Sequence, residues 1–440
     1  MERAQTLVVG AGVVGLAMAA ALARRGRDVL VVEKAHAICT GVSSRSSEVL
    51  HAGLYYPPGS RKARLCVRGN QLLYVYCASR GVGYARTGKL LVATSEAQLS
   101  SSLPALQQRA EANCVQGLRV LSRADARAIE PAIECVGALL SPSSGIVDSH
   151  GLALALLGDA EAHGATLALG TEVLKILRNV IGADPWPGGS GEEARGTRIR
   201  MRLLRRGQAG ELTSSSPLGG NSPEVGVDEE KDSTFVVEAA EVVNCAGLSA
   251  VRLGQALGPR PHRSNLTLTE TSACAAHTAT FAKGSYFALA GGVHAPFSRL
   301  VYPLPSQDLA GLGVHATLDL GGRIRFGPDA EWLGERGVPL VHPDDDPHAF
   351  DVDARRAESF YAAIRTYWPG LPDGCLVPDY AGIRPKLSRP GEAAADFEFL
   401  RETGGRRVWH LLGIESPGLT SCLALAEEVA DAVVAASDAS

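Results

Sequence analysis

The amino-terminal part of the chain alternates apolar runs with a glycine cluster and a small-residue segment. Residues 6–9 form a short apolar run that predicts a buried strand, and residues 28–32 form a second one. Between them, residues 16–25 are rich in Ala and Leu, which favours a helix. This order predicts a βαβ unit whose two strands lie parallel in one sheet.

The apolar pattern changes its period several times along the rest of the chain. Helical spacing or an Ala-rich composition predicts helices at residues 61–80, 95–113, 149–163, 353–368 and 420–436. Short apolar runs predict a strand pair at residues 84–94 and strands at residues 165–177, 197–206, 234–238, 241–247 and 409–414. Residues 261–340 are rich in short strands and turns, which favours an antiparallel sheet.

The glycine cluster has the spacing of a dinucleotide-binding turn. Gly10, Gly12 and Gly15 follow the GxGxxG pattern, and Glu33 stands 18 residues after Gly15. The glycines allow a tight turn, close approach of a pyrophosphate and close helix packing, while the helix amino terminus favours negative charge. Glu33 can accept hydrogen bonds from ribose hydroxyls. Both FAD and NAD satisfy these residues, and Val14 and Lys34 are predicted to contact the same ligand.

Pieces of nucleotide-binding fold lie at both ends of the chain and in its middle. We predict an α/β fold in which a Rossmann-like FAD-binding domain is interleaved with a β-rich substrate-binding domain of antiparallel sheet and helices. The first domain is predicted at residues 1–83, 141–260 and 370–440, with a disordered insertion at 207–233, and the second at 84–140 and 261–369. This interleaving favours FAD over NAD, because NAD dehydrogenases usually keep the nucleotide domain contiguous.

Composition narrows the remaining classes of protein. A chain of 440 residues is long enough for roughly two or three domains. A net charge of −4 argues against general nucleic-acid binding. The nine cysteines include no CxxC pair, which is typical of reduced, mostly structural thiols and does not indicate a zinc site.

From the sequence we expect neither a targeting segment nor a membrane span. No apolar run approaches the roughly 20 residues that a span needs, and five residues precede the first strand. We therefore expect a cytoplasmic enzyme, and leave open peripheral membrane contact through an apolar surface patch.

Residues 43–56, SSRSSEVLHAGLYY, resemble the second signature of the L-2-hydroxyglutarate dehydrogenase/oxidase family. That family belongs to the D-amino-acid oxidase superfamily of FAD enzymes. The resemblance continues in order through residues 62–66, 88–93, 145–148, 283–287, 301–303, 312–315, 382–387 and 413–421. Ser46 stands where the family usually has Asn, and Phe287 where a second Tyr is common.

The resemblance and the local residue types together nominate the FAD contacts. The loop of Ser43, Ser44 and Arg45 is polar and suits a phosphate or ribityl chain. As the superfamily fold implies, the backbone at Val173 would pair with adenine, and Ala246 and Gly247 would allow close approach at a strand end. The flavin pyrimidine edge would lie against the helix start at Gly418, Leu419 and Thr420.

Flavin-dependent oxidation of a 2-hydroxy acid needs a base for the hydroxyl proton and cations for the carboxylates. His51 and His315 lie in family motifs, and which of them is the base is left open. Arg384 and Lys386 are the best candidates for holding a dicarboxylate. Tyr302 completes the predicted catalytic set. Lesser candidates are Lys62, Arg64, Lys89 and Tyr56.

The resemblance therefore implies FAD-dependent oxidation of L-2-hydroxyglutarate to 2-oxoglutarate by hydride transfer to flavin N5. A small dicarboxylate 2-hydroxy acid would be the substrate, and a quinone, another carrier or oxygen the electron acceptor. The alternatives are another activity of the superfamily, on an amino acid or glycerol 3-phosphate, or a non-catalytic flavin-binding redox sensor. No resident metal is expected.

Overall fold

The computed structural model describes residues 2–177, 197–203, 234–256, 274–304, 313–334, 340–402 and 407–438. The predicted insertion at residues 207–233 lies outside these ranges. In chain order the strands are β1 (Glu2–Val9), β2 (Val29–Val32), β3 (Val49–Leu50), β4 (Tyr84–Ala85), β5 (Lys89–Ala93), β6 (Arg119–Ser122), β7 (Gly137–Ser141), β8 (Gly145–Val147), β9 (Thr166–Ala168), β10 (Thr171–Leu177), β11 (Thr197–Leu203), β12 (Thr234–Asn244), β13 (Thr280–Leu289), β14 (Leu300–Pro303), β15 (His315–Leu318), β16 (Ile324–Gly327), β17 (Glu331–Trp332), β18 (Leu376–Lys386), β19 (Glu398–Arg401) and β20 (Val408–Leu412).

Eight helices pack around these strands in the part of the chain that the structure describes. They are α1 (Val13–Ala23), α2 (Arg61–Arg80), α3 (Leu103–Ala112), α4 (Arg123–Ile129), α5 (Ser149–Ala162), α6 (Ala250–Gln255), α7 (Ala357–Arg365) and α8 (Gly418–Asp438). Shorter helical turns lie at Val42–Arg45, Gln98–Ser102, Gly247–Ser249, Pro343–Asp345 and Ala354–Arg356. In the part of the chain that the structure describes, no helix is both long and apolar enough to cross a membrane.

The first sheet has the order β10-β11-β12-β1-β2-β9, and β20 and β19 continue from β12. Its centre is parallel, because β1 pairs in the same direction with β2 and with β12. Val9 lies opposite both Val32 and Asn244, so these three strands end at one edge. Ligands of such sheets bind where the carboxyl ends of the strands meet.

Helix α1 is apolar on every side and is buried almost completely. A helix of this kind lies inside the protein rather than on its surface, and α1 packs against α5 and α8. A Cβ atom at Gly15 would lie 1.9 Å from the carbonyl oxygen of Gly10, so this glycine is what lets the helix approach the turn. The predicted packing role of Gly15 thus has a geometric basis.

The second sheet has the order β17-β13-β16-β15-β14-β5-β7-β6, with β18 paired to β13. Its pairing is mostly antiparallel, and β14 runs parallel to β5. Strand β18 lies in this sheet although the sequence placed it in the predicted segment 370–440 of the other domain. The long register between β13 and β18, from Thr280–Lys386 to Leu289–Leu376, accounts for the difference.

The two strands predicted at residues 84–94 are present as β4 and β5, but the prediction that they pair with each other is wrong. Strand β4 pairs with β8 in a small sheet with β3, while β5 pairs with β7 and β14 in the second sheet. The predicted strands at 234–238 and 241–247 are one continuous strand, β12, because β11, β1 and β20 pair with successive parts of it. The domain bounds beyond these pairings stay a proposal.

Candidate active site

A cavity of about 1410 Å³ extends from the carboxyl edge of the first sheet to the face of the second. It exceeds the roughly 300–1,000 Å³ of ordinary small-molecule pockets. The predicted site residues that line it are Gly10, Gly12, Val14, Glu33, Lys34, Ser43, Arg45, His51, Val173, Ala246, Gly247, Tyr302, His315, Arg384, Lys386, Gly418, Leu419 and Thr420. The structure thus brings residues from widely separated parts of the chain to one space.

Glu33 lies at the end of β2 with its carboxylate held against the glycine turn. One carboxylate oxygen accepts a hydrogen bond from the N–H of Ala11 at 2.8 Å, and the other accepts from Ala35 at 2.9 Å. A carboxylate can accept about four hydrogen bonds. Glu33 can therefore hold the turn in place and still accept bonds from a ligand in the cavity.

Of four other predicted cofactor contacts, two line the cavity and two do not. Ser43 accepts a hydrogen bond from the N–H of Val13 at 3.0 Å and so supports the start of α1. Ser44 does not line the cavity, because its exposed side chain donates to the carbonyl of Gly41. Gly15 also lies behind the wall, and the ammonium of Lys34, which does reach the cavity, is paired with Asp344 at 2.5 Å.

Three further short stretches of the chain contribute to the cavity wall. Arg45 stacks on the ring of Phe350 at 4.2 Å, and burial lowers the pKa of its guanidinium. In β10 the ladder shifts register between Val173 and Lys175, where the strand borders the cavity. Asn244 accepts a bond from the N–H of Ala246 at 3.2 Å, which fixes the turn that carries Ala246 and Gly247.

His51 lies in the loop after β3, and Thr420 of α8 holds its backbone. The Thr420 hydroxyl accepts from the N–H of His51 at 3.0 Å and donates to the carbonyl of Val49 at 3.2 Å. The imidazole Nε2 lies 3.3 Å from Oγ of Ser416, and Nδ1 lies 3.4 Å from Nζ of Lys89. The ring thus spans from the cavity to the protein interior.

Burial, and then the positive charges of Lys89, His315 and Arg384, lower the pKa of His51 well below 6.5. His51 is therefore neutral at physiological pH. A neutral imidazole can accept a proton, as a general base must.

Tyr302 and His315 lie side by side on the second sheet, since β14 and β15 are neighbours. Their rings are stacked at a centroid distance of 3.6 Å and an angle of 12°. Burial raises the pKa of Tyr302 well above 10, so its phenol keeps its proton and can donate a hydrogen bond. Tyr302 and His315 therefore form one part of the cavity wall, and His51 lines the same cavity.

The two cations predicted to hold the substrate differ in their surroundings. Lys386 forms an ion pair with Glu415 at 2.7 Å, and Glu415 also pairs with Lys62 at 2.9 Å. Burial alone would raise the pKa of Glu415, but the two ammonium groups outweigh it and hold the pKa below 4.5. The side chain of Arg384 lines the same cavity, and its guanidinium makes no hydrogen bond or ion pair to any residue that the structure describes.

The lesser candidates divide between the cavity and other places. Lys62 and Tyr56 line the cavity, and the phenol of Tyr56 is hydrogen-bonded to Ser416. Arg64 does not line the cavity, because it projects outward and pairs with Glu428 of α8 at 2.5 Å. Lys89 does not reach the cavity surface but lies fully buried behind His51.

The sequence analysis did not identify Glu415 as a site residue, although residues 413–421 belong to the family resemblance. A charged residue soon after the apolar run of β20 was the available signal.

A separate buried group of Cys274, Glu402 and His410 holds three potential metal ligands. Both ring nitrogens of His410 already contact protein, one Glu402 at 3.2 Å and the other Asn244 at 3.0 Å. The absence of a resident metal stays a prediction.

A family model described as FAD dependent oxidoreductase matches residues 5–432. The mitochondrial L-2-hydroxyglutarate dehydrogenase of Arabidopsis thaliana is 39% identical, over 98% of this chain and 83% of that protein. The chain belongs to the L-2-hydroxyglutarate dehydrogenase family of FAD-dependent oxidoreductases. This family member is also 27% identical to the L-2-hydroxyglutarate dehydrogenase of Escherichia coli O17:K52:H18, over 97% of its own chain and 92% of that protein.

Solved flavoenzymes share the fold of this family member. The L-α-glycerophosphate oxidase of Mycoplasma pneumoniae with FAD bound has a TM-score of 0.73 at 21% identity, covering 99% of this chain and 95% of that one. Glycine oxidase from Geobacillus kaustophilus has a TM-score of 0.68 at 19% identity, with the same coverage. At such identities the likeness concerns the fold alone. The predicted α/β fold with a Rossmann-like FAD-binding part is confirmed, and so is FAD as the cofactor.

The cavity of this L-2-hydroxyglutarate dehydrogenase family member suits FAD on its own geometry. Gly10 has a φ of +100°, and a Cβ atom there would lie 2.7 Å from the carbonyl oxygen of Cys245. A Cβ atom at Gly12 would lie 3.1 Å from Oγ of Ser43. The two glycines thus leave a backbone cradle at the amino terminus of α1, where a pyrophosphate is stabilised.

Proposed function

We propose that this enzyme oxidises L-2-hydroxyglutarate to 2-oxoglutarate. The observation that carries the proposal is the guanidinium of Arg384, which reaches the cavity with no carboxylate partner among the described residues and shares that cavity with His51, Tyr302 and His315. Arginine grips a carboxylate with two parallel hydrogen bonds. The substrate is the one that the names of the full-length relatives give.

A second carboxylate has a suitable neighbour in the charged group on the same wall. Lys62, Lys386 and Glu415 together carry a net positive charge when all three are ionised. We infer that this group attracts the distal carboxylate of the substrate, while Arg384 holds the one next to the reacting carbon. A dicarboxylate fits this arrangement better than an amine does.

The residues of the chain then handle the substrate's proton. FAD supplies, when bound, an acceptor for the C2 hydride at flavin N5. His51 accepts the hydroxyl proton at Nε2, which faces the cavity beside Ser416. The phenol of Tyr302 keeps its proton and donates a hydrogen bond to a substrate oxygen. His51 is the better candidate for the base, because its Nε2 faces the cavity and burial keeps the imidazole neutral.

The predicted FAD contacts form part of the same proposal. Glu33 would accept from the adenosine ribose, and the cradle at Gly10 and Gly12 would hold the pyrophosphate. Val14, Lys34, Ser43, Arg45, Val173, Ala246, Gly247, Gly418, Leu419 and Thr420 all border the cavity and remain proposed contacts.

Anaerobic titration of the purified holoenzyme tests the substrate. L-2-hydroxyglutarate should bleach the flavin band at about 450 nm, and the D enantiomer should not. L-malate tests the length of the dicarboxylate, while glutamate and glycerol 3-phosphate represent other activities of the superfamily. Bleaching by one of the last two, without bleaching by L-2-hydroxyglutarate, would refute the proposal.

The electron acceptor and the compartment are further proposals. All nine cysteines are free thiols in the structure, which suits a reducing compartment. We infer a cytoplasmic enzyme that passes electrons to a quinone, another carrier or oxygen, with peripheral membrane contact as the route to a quinone. Cell fractionation tests the location, and turnover assays with each acceptor under anaerobic and aerobic conditions test the acceptor.

A further inference from the structure

Lys89 occupies an unusual place for a lysine, fully buried at 0% exposure in the middle of the second sheet. It begins β5, with β7 on one side and β14 on the other. Among the described residues no carboxylate forms an ion pair with it. An ammonium group buried without a counter-charge costs several kcal/mol. The sequence nominated Lys89 as a substrate anchor, but its side chain lies behind His51 and does not line the cavity.

The groups that face Lys89 come from three segments of the chain. Nζ lies 3.4 Å from Nδ1 of His51, 3.8 Å from the ring centre of Tyr302 and 5.9 Å from that of Tyr55. The thiol of Cys66 is a further titratable neighbour. Burial is the main cause that lowers the pKa of Lys89, to about 7. His315 and Arg384 lie near the ring of His51, and positive charge on them lowers the pKa of His51.

A neutral imidazole carries one proton, so the state of Lys89 decides which nitrogen of His51 is free. A protonated Lys89 donates to Nδ1, and the ring proton then lies on Nε2, where it blocks the cavity side. A neutral Lys89 accepts from Nδ1–H instead. The lone pair of Nε2 then faces the cavity beside Ser416, where a substrate hydroxyl can reach it.

We propose that Lys89 is the group that finally holds the proton of the substrate hydroxyl, and that His51 passes it on. This inference rests on the proposed function, since it concerns the base of that reaction. The substrate O–H bond breaks and its proton bonds to Nε2 of His51, while the Nδ1–H bond breaks and that proton bonds to Nζ of Lys89. The electron pair left on oxygen forms the carbonyl as the C2 hydrogen leaves with its electrons to FAD.

His51 remains neutral through this step, and the positive charge appears on Lys89. The ring of Tyr302 stabilises that charge, because an ammonium group is attracted to an aromatic face within about 6 Å. A full positive charge on His51 would instead lie near that of Arg384. The buried lysine thus removes the proton from the part of the site that already carries cations.

Rapid-mixing measurement of flavin reduction by L-2-hydroxyglutarate across the pH range tests the transfer. In the wild type the rate constant should rise with pH through an ionisation at about pH 7, which belongs to the His51–Lys89 pair. Lys89→Met should lose this ionisation and reduce flavin about 100-fold more slowly, with an unchanged dissociation constant for substrate. Lys89→Arg should be equally slow, because arginine does not release its proton.

The exposed Lys175→Met on β10 provides a matched control and should behave as the wild type. Flavin content and the melting temperature report whether each variant folds. Lys89→Met with the wild-type pH profile and a rate within about threefold of the wild type would overturn the proposal.

A measurement on the unaltered holoenzyme keeps the proposal testable if Lys89 variants do not fold. Nitrogen-15 NMR of histidine-labelled protein distinguishes the two ring tautomers without any substrate. His51 should carry its proton on Nε2 at pH values below the ionisation of Lys89, at about pH 7, and on Nδ1 at higher pH. A proton that stays on Nε2 at every pH would overturn the proposal. This result is independent of the substrate, so it separates failure of the transfer from failure of the proposed function.

Discussion

Replacement of Arg384 by Met should weaken substrate binding more than any other single change in the cavity. The guanidinium lines the cavity with no hydrogen bond or ion pair to the described residues, so the substrate carboxylate is its expected partner. Loss of one partner from a hydrogen-bonded charge pair costs about 2–5 kcal/mol. Arg384 is only half-buried, and we therefore take about 3 kcal/mol. At about 1.4 kcal/mol per factor of ten, the apparent dissociation constant should rise about 100-fold.

The same substitution should also change the pH dependence of flavin reduction. Burial is the main cause of the lowered pKa of His51, and Arg384 is one of the three positive charges that lower it further. Removal of that charge raises the pKa of His51. The fraction of unprotonated base at a given pH then falls, so the acid limb of the rate profile should move to higher pH.

Rapid-mixing reduction at several substrate concentrations separates the dissociation constant from the limiting rate. Arg384→Lys keeps the charge but loses the two-pronged bond, and should fall between the wild type and Arg384→Met. Arg323→Met, a change on the exposed surface, provides the control. The reasoning is refuted if Arg384→Met binds substrate normally. Loss of FAD in place of substrate affinity would assign the guanidinium to the cofactor.

Three further predictions concern the base, the cofactor and the charged group. His51→Ala should slow flavin reduction at least 100-fold with little change in substrate affinity, and an unchanged rate would exclude it as base. Glu33→Ala should raise the FAD dissociation constant about tenfold, from about 1.5 kcal/mol of lost charged hydrogen bonding, as flavin fluorescence would report; equal retention would contradict its role. Glu415 has a lowered pKa, so it stabilises the fold above pH 4.5 and loses this effect as pH falls. Glu415→Gln should therefore lower the melting temperature at pH 7 and flatten its decline in acid, whereas parallel curves would refute this.

The part of the site that the sequence predicts well is local in the chain. The turn from Gly10 to Gly15 and the acid Glu33 belong to one βαβ unit, so their spacing already fixes their relative positions. The helix start at Gly418 is similar, since its backbone groups face the cavity whatever the side chains do.

The remaining differences arise from contacts between distant segments. Spacing in the chain cannot show that Glu415 neutralises Lys386 while Arg384, two residues away, stays unpaired. Nor can it show that Lys89 points behind His51, because that depends on β5 lying beside β14. The predicted FAD-binding segment 370–440 likewise gives no sign that β18 pairs with β13 of the second sheet, since strand partners depend on the whole topology.

The hydrogen bonds of Thr420 affect the design of chimeras between related enzymes. Its hydroxyl joins the loop of Val49 and His51 to the first turn of α8, two segments from opposite ends of the chain. A chimera with a single crossover between them would combine a loop and a helix from different parents, and His51 would lose its matched support. Chimeras that replace only the middle of the chain keep both segments from one parent. We expect the second design to retain its flavin chemistry more often.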